Sequence, residues 1–466
     1  MATKNAFIHG AVGPIEINLI ETHARLGQMN IAKAMKKKSY LFVSLIVTTI
    51  LTTCLYFSVT YSDFQIHDIF LKMIREENYF ADVTVKAETY REKGIKTILL
   101  WNTLFGDRNF YFGTGDIFRD CPFNKCKVFN DRDYLNVEDY DAILFHGNEM
   151  DAYEVPQKRK TTQFYVYVNL ESPANREVYP KYRKSYFNLT MTYRLDSDIP
   201  WTYDIIEDVK SGKFLAPSRN ADWNVFQNNT IFAGAEDAVD EMPSAILDTV
   251  RGKSKPVTWF VSNCDAKSGR QKYVEELSKH IRVDIYGKCG EFSCEKYRNC
   301  FSDVIEADYF FYLSFENSFC DDYVTEKLMN PLRYNVVPVV YGGANYSQFA
   351  PPNSYVNALD FDSPKELAAY LKYLTQDLQR YQSFLQWKKY YRVNVGTKQA
   401  VCNLCEVLHK QKKPKIYSDL TDWYAKDKCS IQALLDNNVD GYATKRTLMS
   451  RDQKQEPDYK TGTHKH

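Results

Sequence analysis

The chain has 466 residues, 60 Lys and Arg against 59 Asp and Glu, 44% hydrophobic residues and 15% aromatics. That length and apolar content allow two or three domains with buried cores and exclude disorder as the main state. A net charge of +1 excludes the large positive field that gathers nucleic-acid phosphates, so no nucleic-acid partner is expected.

Residues 1–39 read as a cytoplasmic tail; its first 38 residues carry six Lys and Arg against two Glu. Tyr40 to Tyr61 is an uncharged run of 22 residues, about 33 Å long as a helix, enough to span a bilayer. Lys36, Lys37 and Lys38 precede it, so the short side is expected to stay in the cytosol and the rest to face the lumen, as in a type II signal-anchor. A cleaved signal peptide fits less well, because the run is too long and starts too late.

Residues 62–96 are charge-rich and read as a partly helical stem without a core. Then come short apolar runs, Thr97–Trp101, Asp141–Phe145 and Phe164–Val168, the pattern of buried strands in a mostly parallel sheet. From about Asp196 to Lys255 the chain is polar and interrupted by Pro200, Pro217 and Pro243, which suggests a connector between two halves. The second half alternates strands at Val257–Val261, Arg282–Tyr286, Tyr309–Phe315 and Val336–Val340 with helices at Arg270–His280, Pro364–Thr375 and Asp377–Tyr391. This alternation predicts a doubly wound α/β domain, with ligands at the carboxyl ends of its strands. The expected division is 97–250 for the first domain with its connector, 251–430 for the second and 431–466 for a tail.

Ten cysteines follow the anchor's Cys54, at Cys121, Cys126, Cys264, Cys289, Cys294, Cys300, Cys320, Cys402, Cys405 and Cys429. Zinc is an alternative for the clustered ones, but histidine is scarce near them, and a lumenal compartment favours disulfides of unreadable connectivity. Asn188, Asn228 and Asn345 open N-glycosylation sequons.

Beyond the Phe315 strand lies Glu316-Asn317, and a helix is expected to begin near Tyr323 with Glu326 and Lys327 in its opening turn. Free backbone N–H groups, the helix dipole and the lysine charge make this a candidate diphosphate site. Pro331 should end or kink that helix. Asp pairs at 131/133, 196/198 and 360/362 have metal-binding spacing but none adjoins Glu326 and Lys327 in sequence, so they read as turn or capping acids.

The Phe315–Leu328 stretch resembles the signature of the α-1,3-fucosyltransferases. The resemblance extends through Val168–Pro173, Leu189–Asp198, Trp259–Asn263, Val337–Val340, Pro351–Ser354 and Cys402–Cys405, so it covers roughly residues 97–430. The Cys289–Cys300 segment resembles the invertebrate, nematode-like branch and suggests a disulfide-held loop. The resemblance implies a GT-B fold, two Rossmann-like domains facing across a cleft, preceded by the single transmembrane helix and stem.

It further implies an inverting transfer of L-fucose from GDP-β-L-fucose to the 3-hydroxyl of GlcNAc in N-glycans, in the Golgi membrane. The acceptor is either an antennal Gal-β-1,4-GlcNAc or the core GlcNAc. Glu171 matches the catalytic base, and Arg270 and Lys327 match the charges facing the diphosphate. Glu326 is expected to accept sugar hydroxyls, with Tyr323, Asn317, Asn263 and Arg194 as further donor-side residues. No metal is expected to be obligatory, with stimulation by Mn²⁺ or Mg²⁺ left open. Asn345 lies in the donor-side part, where a glycan would crowd the cleft. A type II membrane lectin without catalysis is the competing reading, and a lectin has no need for a base together with a diphosphate site.

Overall fold

The computed structural model describes residues 45–50, 63–152, 154–223, 243–295, 298–411, 415–429, 435 and 438–448. Most of the expected anchor lies outside these residues, as do the tail at 1–39, Asn228 and the end of the chain after 448. Residues 45–50 are helical, and among the described residues no helix is long and apolar enough to cross a membrane.

Helix α1, Asp63–Glu92, runs as one continuous element through most of the segment expected to be partly helical. Its last part is not coreless: Val83 and Ala87, four residues apart and so on one face, are buried among Leu99, Phe129 and Tyr140.

The first sheet holds β1 (Lys96–Leu100), β2 (Cys126–Phe129), β3 (Ala142–His146), β4 (Phe164–Asn169), β5 (Leu189–Thr192) and β6 (Ile199–Pro200), in the order β2-β1-β3-β4-β5-β6. All of its pairings are parallel. Its centre is buried on both faces, which is why β3 and β4 read as unbroken apolar runs rather than alternating ones.

The presumed connector contains two strands, β7 (Asp204–Asp208) and β8 (Phe214–Ala216), too short and polar to stand out. After α2 (Ser244–Gly252) the second parallel sheet is built from β9 (Lys255–Phe260), β10 (Val283–Tyr286), β11 (Tyr309–Phe315), β12 (Val337–Tyr341) and β13 (Val356–Asn357), in the order β10-β9-β11-β12-β13. Helices α3 (Arg270–Ser278) and α4 (Glu326–Arg333) intervene, and α5 (Pro364–Gln376) and α6 (Leu378–Ser383) follow β13. The helix expected to run on to Tyr391 stops at Ser383, and Tyr391–Val395 becomes β14, antiparallel to β7 in a three-stranded sheet with β8.

After β14 the chain returns to the first sheet, a crossing that the division at 250/251 leaves out. Helix α7, Thr397–Lys410, places Ala400, Val401, Leu404 and Leu408 on one face, and these are buried among Ile98, Leu144 and Val166. Helix α8, Leu420–Tyr424, buries Leu420 and Tyr424 with Tyr167 and Tyr193.

The ten cysteines form five disulfides: Cys121–Cys402, Cys126–Cys405, Cys264–Cys289, Cys294–Cys300 and Cys320–Cys429. The first two pin α7 to the first sheet. Cys126 and Cys405 lie near His409, but a disulfide leaves neither thiolate for a metal.

Candidate active site

Both parallel sheets send their carboxyl-end loops to one place. On the first, β4 ends at Asn169, whose Oδ1 accepts from the Glu171 N–H at 2.9 Å and so turns the chain sharply. Ser172 Oγ then lies 2.6 Å from Ser318 Oγ in the loop after β11. The Leu195 N–H donates to Asp322 at 3.1 Å, and Lys267 Nζ donates to the Ala174 carbonyl.

Glu171 is half-buried at this junction. Its Oε1 accepts from the Tyr323 hydroxyl at 2.6 Å, Asn175 Nδ2 at 2.9 Å and the Ser172 N–H at 3.0 Å. Among the described residues none donates to Oε2, which leaves one carboxylate oxygen with its lone pairs open. Burial pushes the Tyr323 hydroxyl well above the usual phenol range, so it stays protonated and donates.

Helix α4 begins at Glu326, three residues later than expected, because Thr325 is its cap: the Thr325 hydroxyl accepts from the Lys327 N–H. The Lys327 ammonium donates to Thr325 Oγ1 at 2.9 Å and pairs with Glu316 at 3.3 Å and Glu326 at 3.1 Å. Burial alone would lower the Lys327 pKa, but the two carboxylates outweigh it and raise it. Glu316 is only 1% exposed and accepts from both the N–H and the hydroxyl of Thr325; burial pushes its pKa up against the pull of Lys327. The site therefore holds a fixed ammonium at a helix N-terminus, braced by a buried acid.

Pro331 lies inside α4, where its missing N–H leaves the Lys327 carbonyl without an intrahelical donor. The Ser314 hydroxyl on β11 donates to that carbonyl at 2.6 Å. The proline thus neither ends the helix at once nor leaves a polar group unsatisfied, and α4 stops two residues later at Arg333.

Arg270 opens α3 directly after Gly269, which is left-handed at φ 67° and whose added Cβ would meet the Gly441 carbonyl at 2.2 Å. The Arg270 guanidinium is 3% exposed, donates to the Phe315 carbonyl at 2.7 Å and the Asn263 carbonyl at 3.1 Å, and lies 5.5 Å from the Trp259 ring. It thereby ties the ends of β9 and β11 together. Burial lowers its pKa, with Glu316 opposing.

Residues 250–423 match the model described as glycosyltransferase family 10 (fucosyltransferase) C-term, and residues 93–204 match fucosyltransferase, N-terminal. The α-(1,3)-fucosyltransferase C of Drosophila melanogaster is 37% identical over 351 residues, which cover 72% of this chain and 79% of that protein. The chain belongs to the α-1,3-fucosyltransferase family. The α-(1,3)-fucosyltransferase fut-1 of Caenorhabditis elegans is 30% identical over 74% of this chain and 72% of its own length. A crystal structure titled as an α1,3-fucosyltransferase with GDP aligns over 68% of this chain and 91% of that one, at 18% identity and a TM-score of 0.42.

In this fucosyltransferase the expected residues fall into two sets. Glu171 and Tyr323 are hydrogen-bonded at the loop junction described above, the paired Glu326 and Lys327 open α4 just after Tyr323, and Asn317 lies in the loop after β11, accepting from Ser318 Oγ at 3.2 Å. Asn263 is exposed; its Oδ1 accepts from the Asp265 N–H and its carbonyl holds Arg270. Arg194 is engaged by the protein itself. It is 2% exposed, with Nε 2.8 Å and Nη2 2.5 Å from Asp196 and Nη1 2.6 Å from the Trp423 carbonyl, so it serves the packing of α8.

The acidic pairs are local fastenings. Asp131 accepts from the Asp133 N–H, Asp196 holds Arg194, Asp198 accepts from Thr190 and Tyr417, and Asp360 accepts from Asn357. Asn188 is corrected as a glycosylation site: it is 1% exposed, its Oδ1 accepts from the Tyr165 N–H at 2.8 Å, and its Nδ2 donates to the Lys415 carbonyl at 2.6 Å. A glycan on that nitrogen would need both the bond and the space. Asn345 is exposed and caps the short turn Tyr346–Gln348.

Glu316, Thr325, Asn175 and Tyr424 were not singled out from sequence. For Glu316 and Thr325 a signal existed, since both flank the candidate anion loop. For Tyr424, whose hydroxyl donates to the Glu171 carbonyl, none did: 253 residues separate the two.

Proposed function

We propose that this enzyme moves L-fucose from GDP-β-L-fucose to the 3-hydroxyl of GlcNAc in an N-glycan, with inversion at the fucose C1. The observation that carries this reading is the arrangement of Glu171, with three donors gathered on Oε1 and Oε2 open. Glu171 Oε2 takes the proton of the acceptor hydroxyl as its oxygen bonds to C1 from the face opposite GDP. The C1–O bond to the β-phosphate breaks, its electron pair leaves with GDP, and the proton ends on Glu171.

Lys327 supplies positive charge to the departing diphosphate at the start of α4, and Arg270 adds to the potential from beneath while fixing the loops. Glu326, half exposed beside Lys327, accepts hydroxyls of ribose or fucose. With this charge in place the reaction needs no obligatory metal, and activity lost in chelator and restored by Mn²⁺ or Mg²⁺ would count against that part. We assign the two facing parallel sheets to the GT-B architecture and the whole chain to the Golgi membrane as a single-pass type II protein.

The test is direct. The full-length chain in detergent is incubated with GDP-fucose and either a free lactosamine or a core N-glycopeptide, and the product is mapped by mass spectrometry. Fucose on the 3-hydroxyl of GlcNAc in one acceptor supports the reading and names the acceptor. GDP-fucose binding without transfer to either would favour the lectin.

A further inference from the structure

The segment from Tyr417 to Cys429 touches both halves of the proposed site. At its start the Tyr417 N–H donates to the Phe187 carbonyl at 3.0 Å, and the Leu420 N–H donates to the Arg183 carbonyl at 2.8 Å. At its end the Asp321 N–H donates to the Lys428 carbonyl at 2.8 Å, and Cys429 is bonded to Cys320, three residues before Tyr323. Between these anchors the Tyr424 hydroxyl donates to the backbone carbonyl of Glu171. The Tyr424 ring is fully buried, edge-on to Tyr167 at 5.4 Å and to Tyr193 at 6.1 Å, and Tyr193 in turn packs on Tyr323 at 5.0 Å. Arg194 holds this arrangement from the far side, through the Trp423 and Tyr424 carbonyls and the Trp423 ring at 4.5 Å.

Helix packing alone requires no hydroxyl at residue 424, because a phenyl ring would fill the same space. The hydroxyl instead reaches the one backbone carbonyl whose position sets where the Glu171 side chain starts. Tyr323 holds the other end of that side chain. We propose that Tyr424 is a positioning residue for fucosyl transfer, acting through Glu171, and that Tyr417–Cys429 is a strap that fixes the Glu171 loop relative to the Cys320–Tyr323 loop. The inference rests on the reading of Glu171 as the base.

Its test is a double-variant cycle in the full-length enzyme with Tyr424→Phe, Glu171→Gln and both together. Tyr424→Phe should lower kcat roughly 3- to 10-fold, the worth of one hydrogen bond, with the KM for GDP-fucose and the Kd for GDP within about twofold of wild type. In the Glu171→Gln background the same change should cost less than about twofold, because its target is already disabled. Wild-type turnover in Tyr424→Phe, beside a disabled Glu171→Gln, would overturn the positioning role alone. Losses that multiply, or a parallel loss of GDP binding, would show a general structural role and overturn it as well. Wild-type turnover in Glu171→Gln would remove the base reading and this inference with it.

Discussion

Replacing Glu171 with Gln separates chemistry from architecture unusually well at this site. All three hydrogen bonds to the side chain end on Oε1, from Tyr323, Asn175 and the Ser172 N–H. A glutamine keeps a carbonyl oxygen there and puts its NH₂ where Oε2 was, so every protein contact survives and only the proton acceptor is lost. Turnover should fall about 10²- to 10⁴-fold, or about 2.7–5.4 kcal/mol in the barrier. The KM for GDP-fucose should stay within about threefold and the melting temperature should not move. The assay is steady-state transfer to the acceptor identified by product mapping, with thermal unfolding run on the same preparations. Turnover within about threefold of wild type, in a protein that melts normally, would refute Glu171 as the base. A large rise in the donor KM with little change in kcat would instead place the residue in donor binding.

Three further outcomes are expected. Lys327→Met should lower kcat/KM for GDP-fucose about 10²-fold, because it deletes the ammonium at the head of α4, and kinetics near wild type would exclude a diphosphate role. His146 is buried, its Nδ1 2.9 Å from the Thr103 carbonyl and its Nε2 without a partner, and burial, partly opposed by Glu149, lowers its pKa from 6.5 to about 4. Its neutral form is thus worth about 3 kcal/mol of stability above pH 6.5, lost as the pH falls through 4. Urea unfolding at about pH 7 and about pH 4.5 should show that dependence flattened in His146→Gln, and equal slopes in the two proteins would contradict it. Replacing both Cys320 and Cys429 with Ser opens a cross-link between residues 109 apart in sequence and should cost about 2–5 kcal/mol by the same unfolding measurement, with no change marking the bond as dispensable.

Much of the loop proposed to face the donor was legible because it is contiguous. Tyr309–Phe315 is a run of seven buried residues that can only be a central strand, and the polar loop, the capping threonine and the Glu326-Lys327 pair follow within a dozen positions. The expected strands of the second half lie within two residues of those in the structure for the same reason: apolar runs bounded by turns record burial on both faces. β7, β8 and β14 escaped notice because a small antiparallel sheet tolerates acids such as Asp208 and Glu207, whose charges are met by neighbours rather than excluded. Arg194 and Asn188 looked like site residues because an arginine in a motif and an asparagine in a sequon are identical in sequence whether they face a ligand or the interior. Only the fold shows that both are buried and hydrogen-bonded within the protein.

By itself the sequence determined the class of fold, the number of cysteines available to pair, the approximate strands and the polar loop before the Glu326-Lys327 helix start, since each depends on composition or on spacing over a few residues. Tertiary structure alone decided which cysteines pair, that the chain after Gly396 returns to the first sheet, and that Glu171, Tyr323 and Tyr424 share one hydrogen-bonded cluster. The physical reason is that propensity and periodicity act over a turn or two. A hydrogen bond spanning 152 residues, such as that between Tyr323 and Glu171, exists only after both sheets have buried their faces and brought their loops together.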